Sequence, residues 1–140
     1  MAILGWKTRI AVLWLLMVAA IAIHGLLITW EPGGLDRMMS RMAAGGAGKL
    51  LFEALFSLVP LWLAFLTMIL KDSYNKWVNF VLGIVFTILN IFHFFECGVP
   101  LAEGGLVTEP TAHHILLVGS TVVVTALIAW YAWKWPKAEA

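Results

Sequence analysis

Residues 10–30, IAVLWLLMVAAIAIHGLLITW, form a run of 21 residues without a charged side chain, bounded by Arg9 and Glu31. At about 1.5 Å per residue, a helix of this length extends about 31 Å, which is the thickness of the hydrocarbon core of a bilayer. The run is too long for the apolar region of a signal peptide. It therefore predicts a transmembrane helix, in which His24 is the one strongly polar residue.

Three further apolar runs of similar length follow, at 50–70, 77–95 and 111–133. Glu53 is the only Asp, Glu, Lys or Arg inside them. In a bilayer, such continuous runs favour helices over barrel strands, whose apolar residues alternate with polar ones. We therefore expect an all-α, multi-pass integral membrane protein: a four-helix bundle in a single transmembrane domain, residues 1–140. Pro60 is expected to bend the second span.

The composition excludes several other classes of protein. Hydrophobic residues make up 62% of the chain and charged residues 12%, the net charge is +1, and the mean hydropathy is +0.93. A soluble domain carries about 25% charged residues. A soluble enzyme, a nucleic-acid-binding protein and a disordered chain are therefore excluded, and the lipid bilayer is the expected partner. Cys97 is the only cysteine, so the chain forms no internal disulfide and no four-thiolate metal site.

The distribution of Lys and Arg predicts the orientation of the bundle. Six lie at the two termini and in the 71–76 turn, and three lie in the loop between the first two spans. Because positive residues favour the cytoplasmic side, both termini are expected in the cytoplasm. In the loop after the first span, Leu35, Met38, Met39 and Met42 repeat at helical spacing. They predict a short helix over residues 35–43 that lies on the outer membrane surface.

The titratable residues of the predicted spans concentrate near the outer surface. His24 lies about 9 Å from the outer end of its span, Glu53 about 6 Å and His93 about 5 Å, at 1.5 Å per residue. His114, with its neighbour His113, begins the fourth span. Polar residues inside spans are costly and usually face the bundle interior or a functional cavity.

From this cluster we expect a polar pocket near the outer leaflet that binds a small lipophilic molecule; whether it also converts that molecule by acid–base chemistry stays open. Glu53 would carry the proton, and His24 and His93 would orient or tune it, because imidazole and carboxylate form a proton donor–acceptor set. Further residues are expected to line the pocket: Asn90, Ser57, His114 and Phe94.

Two other interpretations stay open, besides a proton- or ion-coupled transporter in which Glu53 would be the intramembrane carboxylate. In the first, a transition-metal ion or haem b is bound by residues of the same cluster, namely His24, His93, His114 and Glu53, because imidazole and carboxylate suit such ions and two histidines on facing helices can ligate haem. In the second, the cluster ties the helices together in a homo-oligomer or in a structural subunit of a larger membrane complex.

Two segments also carry a family resemblance. Residues 75–83, NKWVNFVLG, and residues 129–135, AWYAWKW, resemble segments of bacterial four-span membrane proteins of the DoxX-like type. The resemblance implies a four-helix bundle in a bacterial inner membrane. It carries over no functional residue.

Overall fold

The computed structural model describes the backbone of residues 2–98 and 112–136 and the side chains of residues 4–95 and 113–136. Within these residues the structure consists of four helices, which confirms the expected all-α fold: α1 (Ala2–Trp30), α2 (Gly34–Ile69), α3 (Asp72–Gly98) and α4 (Ala112–Trp133). Each contains a segment long and apolar enough to cross a membrane. Bulky apolar side chains cover the outside of the bundle, for example Leu51 and Leu116.

Two glycines with positive φ break the helical path between residues 30 and 50. Gly33, with φ 68°, lies in the tight turn between α1 and α2. Gly46, with φ 59° and ψ −162°, interrupts α2 and separates its first three turns from the long apolar segment. Only glycine adopts such angles readily, because it has no Cβ. The expected bend at Pro60 is not the break in α2, since this buried proline keeps helical torsion angles.

The helices pack around a core that runs the length of the bundle. α1 lies against α2 and α4, and α4 also lies against α3. The backbones of α2 and α3 are farther apart and meet through side chains, such as the rings of Phe56 and Phe86 at 5.6 Å between centroids. Trp14 and Met17 of α1 are fully buried at the centre. The end of α1 therefore lies beside the start of α4.

Hydrogen bonds fasten the end of the bundle where α2 turns into α3. Asn79 accepts from Trp14 Nε1 at 2.7 Å and from Thr67 Oγ1 at 3.0 Å, and its amide donates to Asn75 Oδ1 at 2.6 Å. At the same end, Lys7 pairs with the Asp72 carboxylate at 2.9 Å.

Candidate metal centre

Three histidines converge at the other end of the bundle. His24 lies near the end of α1, and His113 and His114 lie in the first turn of α4. One ligand atom from each of the three residues can be chosen so that all lie within 4.8 Å of one another. We call these three residues the histidine cluster. It arises because antiparallel α1 and α4 bring residues from the end of one helix to the start of the other.

His24 is the most deeply buried member of the cluster. Its side chain is 3% exposed, and its ring centroid lies 4.7 Å from that of His114 and 6.3 Å from that of His113. Neither Nδ1 nor Nε2 of His24 has a hydrogen-bond partner among the described residues. Buried polar groups in proteins are nearly always hydrogen-bonded, and leaving one unpaired is costly. The site thus holds a buried imidazole without a described partner, close to two other imidazoles.

Glu31 holds the two histidines of α4. Its Oε1 lies 3.3 Å from His113 Nε2 and 3.7 Å from His114 Nδ1. Its Oε2 pairs with Arg37 Nη2 at 2.9 Å, and Arg37 Nη1 also donates to the carbonyl oxygen of Pro32 at 3.0 Å. The turn after α1 and the first turn of α2 therefore hold this carboxylate against the start of α4.

A small cavity adjoins the cluster. It has a volume of about 60 Å³. Its wall combines the polar side chains of Glu31, Arg37, Arg41 and His114 with Ile28, Gly34 and Met38. Arg41 makes no hydrogen bond or ion pair within the described part of the chain.

The structure brings together part of the site predicted from sequence. The rings of His93 and His24 meet edge to face, with centroids 5.9 Å apart. Glu53 and His93 line a second cavity of about 90 Å³, together with Phe52, Phe56, Leu89 and Phe92. Glu53 is not at the histidine cluster and makes no hydrogen bond or ion pair with a described residue. The His93 ring therefore contacts His24 and also lines the cavity that Glu53 lines.

Of the other predicted pocket residues, one lies in the histidine cluster and three lie outside it. His114 belongs to the cluster. Asn90 is fully buried one turn before His93, donates to the Phe86 carbonyl oxygen at 2.8 Å, and leaves its Oδ1 without a partner among the described residues. Ser57 and Phe94 line neither of the two cavities.

Sequence reasoning did not assign Glu31 to the site, and it treated His113 only as a neighbour of His114. Glu31 served there as the charge that ends the first span. The position of Glu31 was nevertheless informative. When two antiparallel spans pack together, the residue that follows one span lies beside the first residues of the other. The contact depends on packing of α1 against α4, which the apolar pattern alone did not specify.

Over residues 2–98 and 112–136, fold and site together define an all-helical structure whose four helices could each cross a membrane, with a histidine cluster at one end. Comparison with family models, with curated proteins and with solved structures gives no match.

Proposed function

We propose that the protein is a multi-pass integral membrane protein that binds a divalent transition-metal ion through His24, His113 and His114. The observation that carries the proposal is the buried His24 ring, whose nitrogens have no described partner and which lies close to two other imidazoles. A metal ion at this point would give one of the two ring nitrogens a partner.

The donor set suits zinc and its neighbours. Zn²⁺ binds histidine nitrogen at about 2.0–2.1 Å, and three nitrogens in tetrahedral arrangement then lie about 3.3 Å apart. The ligand atoms of the cluster lie within 4.8 Å, so ring shifts of about 1 Å close the site. Three protein ligands are typical of zinc sites that keep a fourth position open.

Glu31 supports the same proposal. Metal-binding histidines commonly contact a carboxylate that orients the ring and raises its basicity. Glu31 contacts both His113 and His114 and is itself held by Arg37. A carboxylate so placed would fix the two α4 imidazoles and partly neutralise a bound cation.

The sizes of the cavities favour an ion over the larger ligands considered. Sites for small organic ligands usually have volumes of about 300–1,000 Å³. The two cavities beside the histidines have volumes of about 60 and 90 Å³. Beside the histidines, the geometry therefore supports a lipophilic molecule or haem b less well than a single ion. It also supports a purely structural role for the histidine cluster less well, because that role would leave His24 without a hydrogen bond.

We place both termini in the cytoplasm and the histidine cluster near the outer surface of a bacterial inner membrane. Support comes from the six-to-three distribution of Lys and Arg. The resemblance to bacterial four-span proteins supports the choice of membrane. In this orientation the site would take metal from the outer side.

Zinc titration of the purified, chelator-treated protein in detergent tests the proposal. We expect one Zn²⁺ per chain. His24→Gln should weaken binding by more than about 100-fold, because loss of a ligand exceeds the 10–100-fold effect of outer contacts. Glu53→Gln is the matched control and should bind as the wild type, since Glu53 lies away from the cluster. Circular dichroism checks that both variants keep their helices.

Two results would contradict this assignment. One is a wild-type protein that binds no stoichiometric Zn²⁺. The other is the reverse pattern, in which Glu53→Gln loses binding and His24→Gln keeps it, which would move the site to the cavity shared by Glu53 and His93.

A further inference from the structure

We infer that the 60 Å³ cavity beside the histidine cluster binds a small anion, which occupies the open coordination position of the bound metal. This inference rests on the proposed metal site and specifies the class of its exogenous ligand.

The cavity adjoins the proposed metal site directly. His114 belongs both to the histidine cluster and to the cavity wall, and Glu31 lines the cavity while it contacts His113 and His114. A ligand in the cavity would therefore lie next to an ion held by the cluster. With three imidazoles as protein ligands, such an ion has a coordination position left for it.

The charges on the cavity wall favour an anion. Glu31 carries one negative charge, but its carboxylate is paired with Arg37 at 2.9 Å. Arg41 contributes a second guanidinium, and it has no hydrogen bond or ion pair with a described residue. The wall thus has a net charge of about +1 without metal, and a divalent ion raises it further. Guanidinium groups bind carboxylate-like anions through several directed N–H donors.

The volume limits the size of that anion. One water molecule needs about 10–15 Å³ of such cavity space, and organic ligands need pockets of about 300 Å³ or more. A cavity of about 60 Å³ therefore suits an anion of three or four heavy atoms, such as formate, hydrogencarbonate or azide. The expected natural ligand class is a small carboxylate or carbonate-like anion.

Azide titration of the Co²⁺-loaded protein tests this inference, because visible absorption reports the coordination of Co²⁺. In the wild type, azide should shift the cobalt bands with saturation. Arg41→Gln should raise the azide Kd about 10-fold, equivalent to about 1.4 kcal/mol, with unchanged affinity for Co²⁺. Arg41→Lys should restore most of the affinity, because it keeps the positive charge. Lys49→Gln, on the same helix but outside the cavity wall, is the matched control and should bind azide as the wild type.

The outcomes separate this inference from the metal proposal. If Co²⁺ binds but azide leaves its spectrum unchanged, the anion site is wrong and the metal site stands. If azide binds with wild-type affinity to Arg41→Gln, the role given to Arg41 is wrong. If the wild type binds no Co²⁺, the proposed function fails and the inference fails with it.

Discussion

At the scale of the residue, the buried His24 side chain lowers the stability of the ligand-free fold. A bound ligand would offset this cost and give the residue a function. Its ring is buried and its two nitrogens have no described partner, whereas the equally buried Asn79 bonds to three neighbouring side chains. An unsatisfied buried polar group costs about 1–3 kcal/mol. Binding sites commonly retain such costs, because substitutions that remove them also remove the function.

His24→Leu should therefore stabilise the metal-free protein while it abolishes metal binding. We expect the free energy of unfolding to rise by about 1–3 kcal/mol, since the apolar side chain removes unpaired nitrogens from the core. Unfolding in a denaturing detergent, followed by circular dichroism, measures the change. Asn79→Leu is the contrasting control and should lower stability, because Trp14, Thr67 and Asn75 lose their partner. A large loss of stability in metal-free His24→Leu would contradict our account of His24.

The sequence indicated some of these residues and missed others for a physical reason. His24 and His114 were predicted as pocket residues because a polar group inside an apolar run stands out. Glu31 was missed because a charged residue at the end of a span is expected there whether or not it binds anything. Glu53 stood out in the same way as the histidines, but the histidine cluster that the structure forms does not include it.

At the scale of the helix, α3 and α4 approach each other closely where the first half of α3 meets the end of α4. Gly83 permits this approach, because a Cβ built there would lie 2.8 Å from the backbone nitrogen of Ala129. Small residues at such crossings are typical of membrane helices.

The four helices could be predicted from their apolar runs, but the break in α2 could not be placed. It lies at Gly46, whose positive φ is a backbone property, and not at Pro60.

Gly83→Ala should push α3 and α4 apart. The added methyl group meets backbone atoms of Ala129, which cannot rotate away, so we expect a loss of about 1–3 kcal/mol in the free energy of unfolding. The same detergent unfolding measures it. Gly5→Ala is the control, because a Cβ at Gly5 meets nothing within 4 Å. Equal stability of the two variants would show that α3 and α4 pack less closely than described.

At the scale of the whole molecule, the two ends of the bundle differ in the polar groups that they carry. One end is fastened by Lys7, Asp72 and the hydrogen bonds of Asn79. The other carries all four histidines of the chain. The position of the histidines at one end was predictable from their depth along each apolar run. Which of them contact one another depends on how the helices pack, and that was not predictable.

The orientation of the bundle can be tested with single cysteines at two exposed serines. In a Cys97→Ser background, Ser40→Cys in α2 should react with a membrane-impermeant maleimide in intact cells. Ser73→Cys, in the first turn of α3, should react only after the membrane is permeabilised, because the Lys and Arg distribution predicts a cytoplasmic position for that turn. The opposite labelling pattern would reverse the orientation and leave the histidine cluster unaffected.

X-ray absorption of the Zn²⁺-loaded protein tests whether three imidazoles hold one metal ion. We predict about three imidazole nitrogens at about 2.0–2.1 Å, with one further light-atom ligand in the fourth position. The imidazole contribution should fall by one ring in any His24→Gln sample that still retains metal. A sulfur shell at about 2.3 Å, or zinc surrounded only by oxygen ligands, would contradict a site formed by His24, His113 and His114.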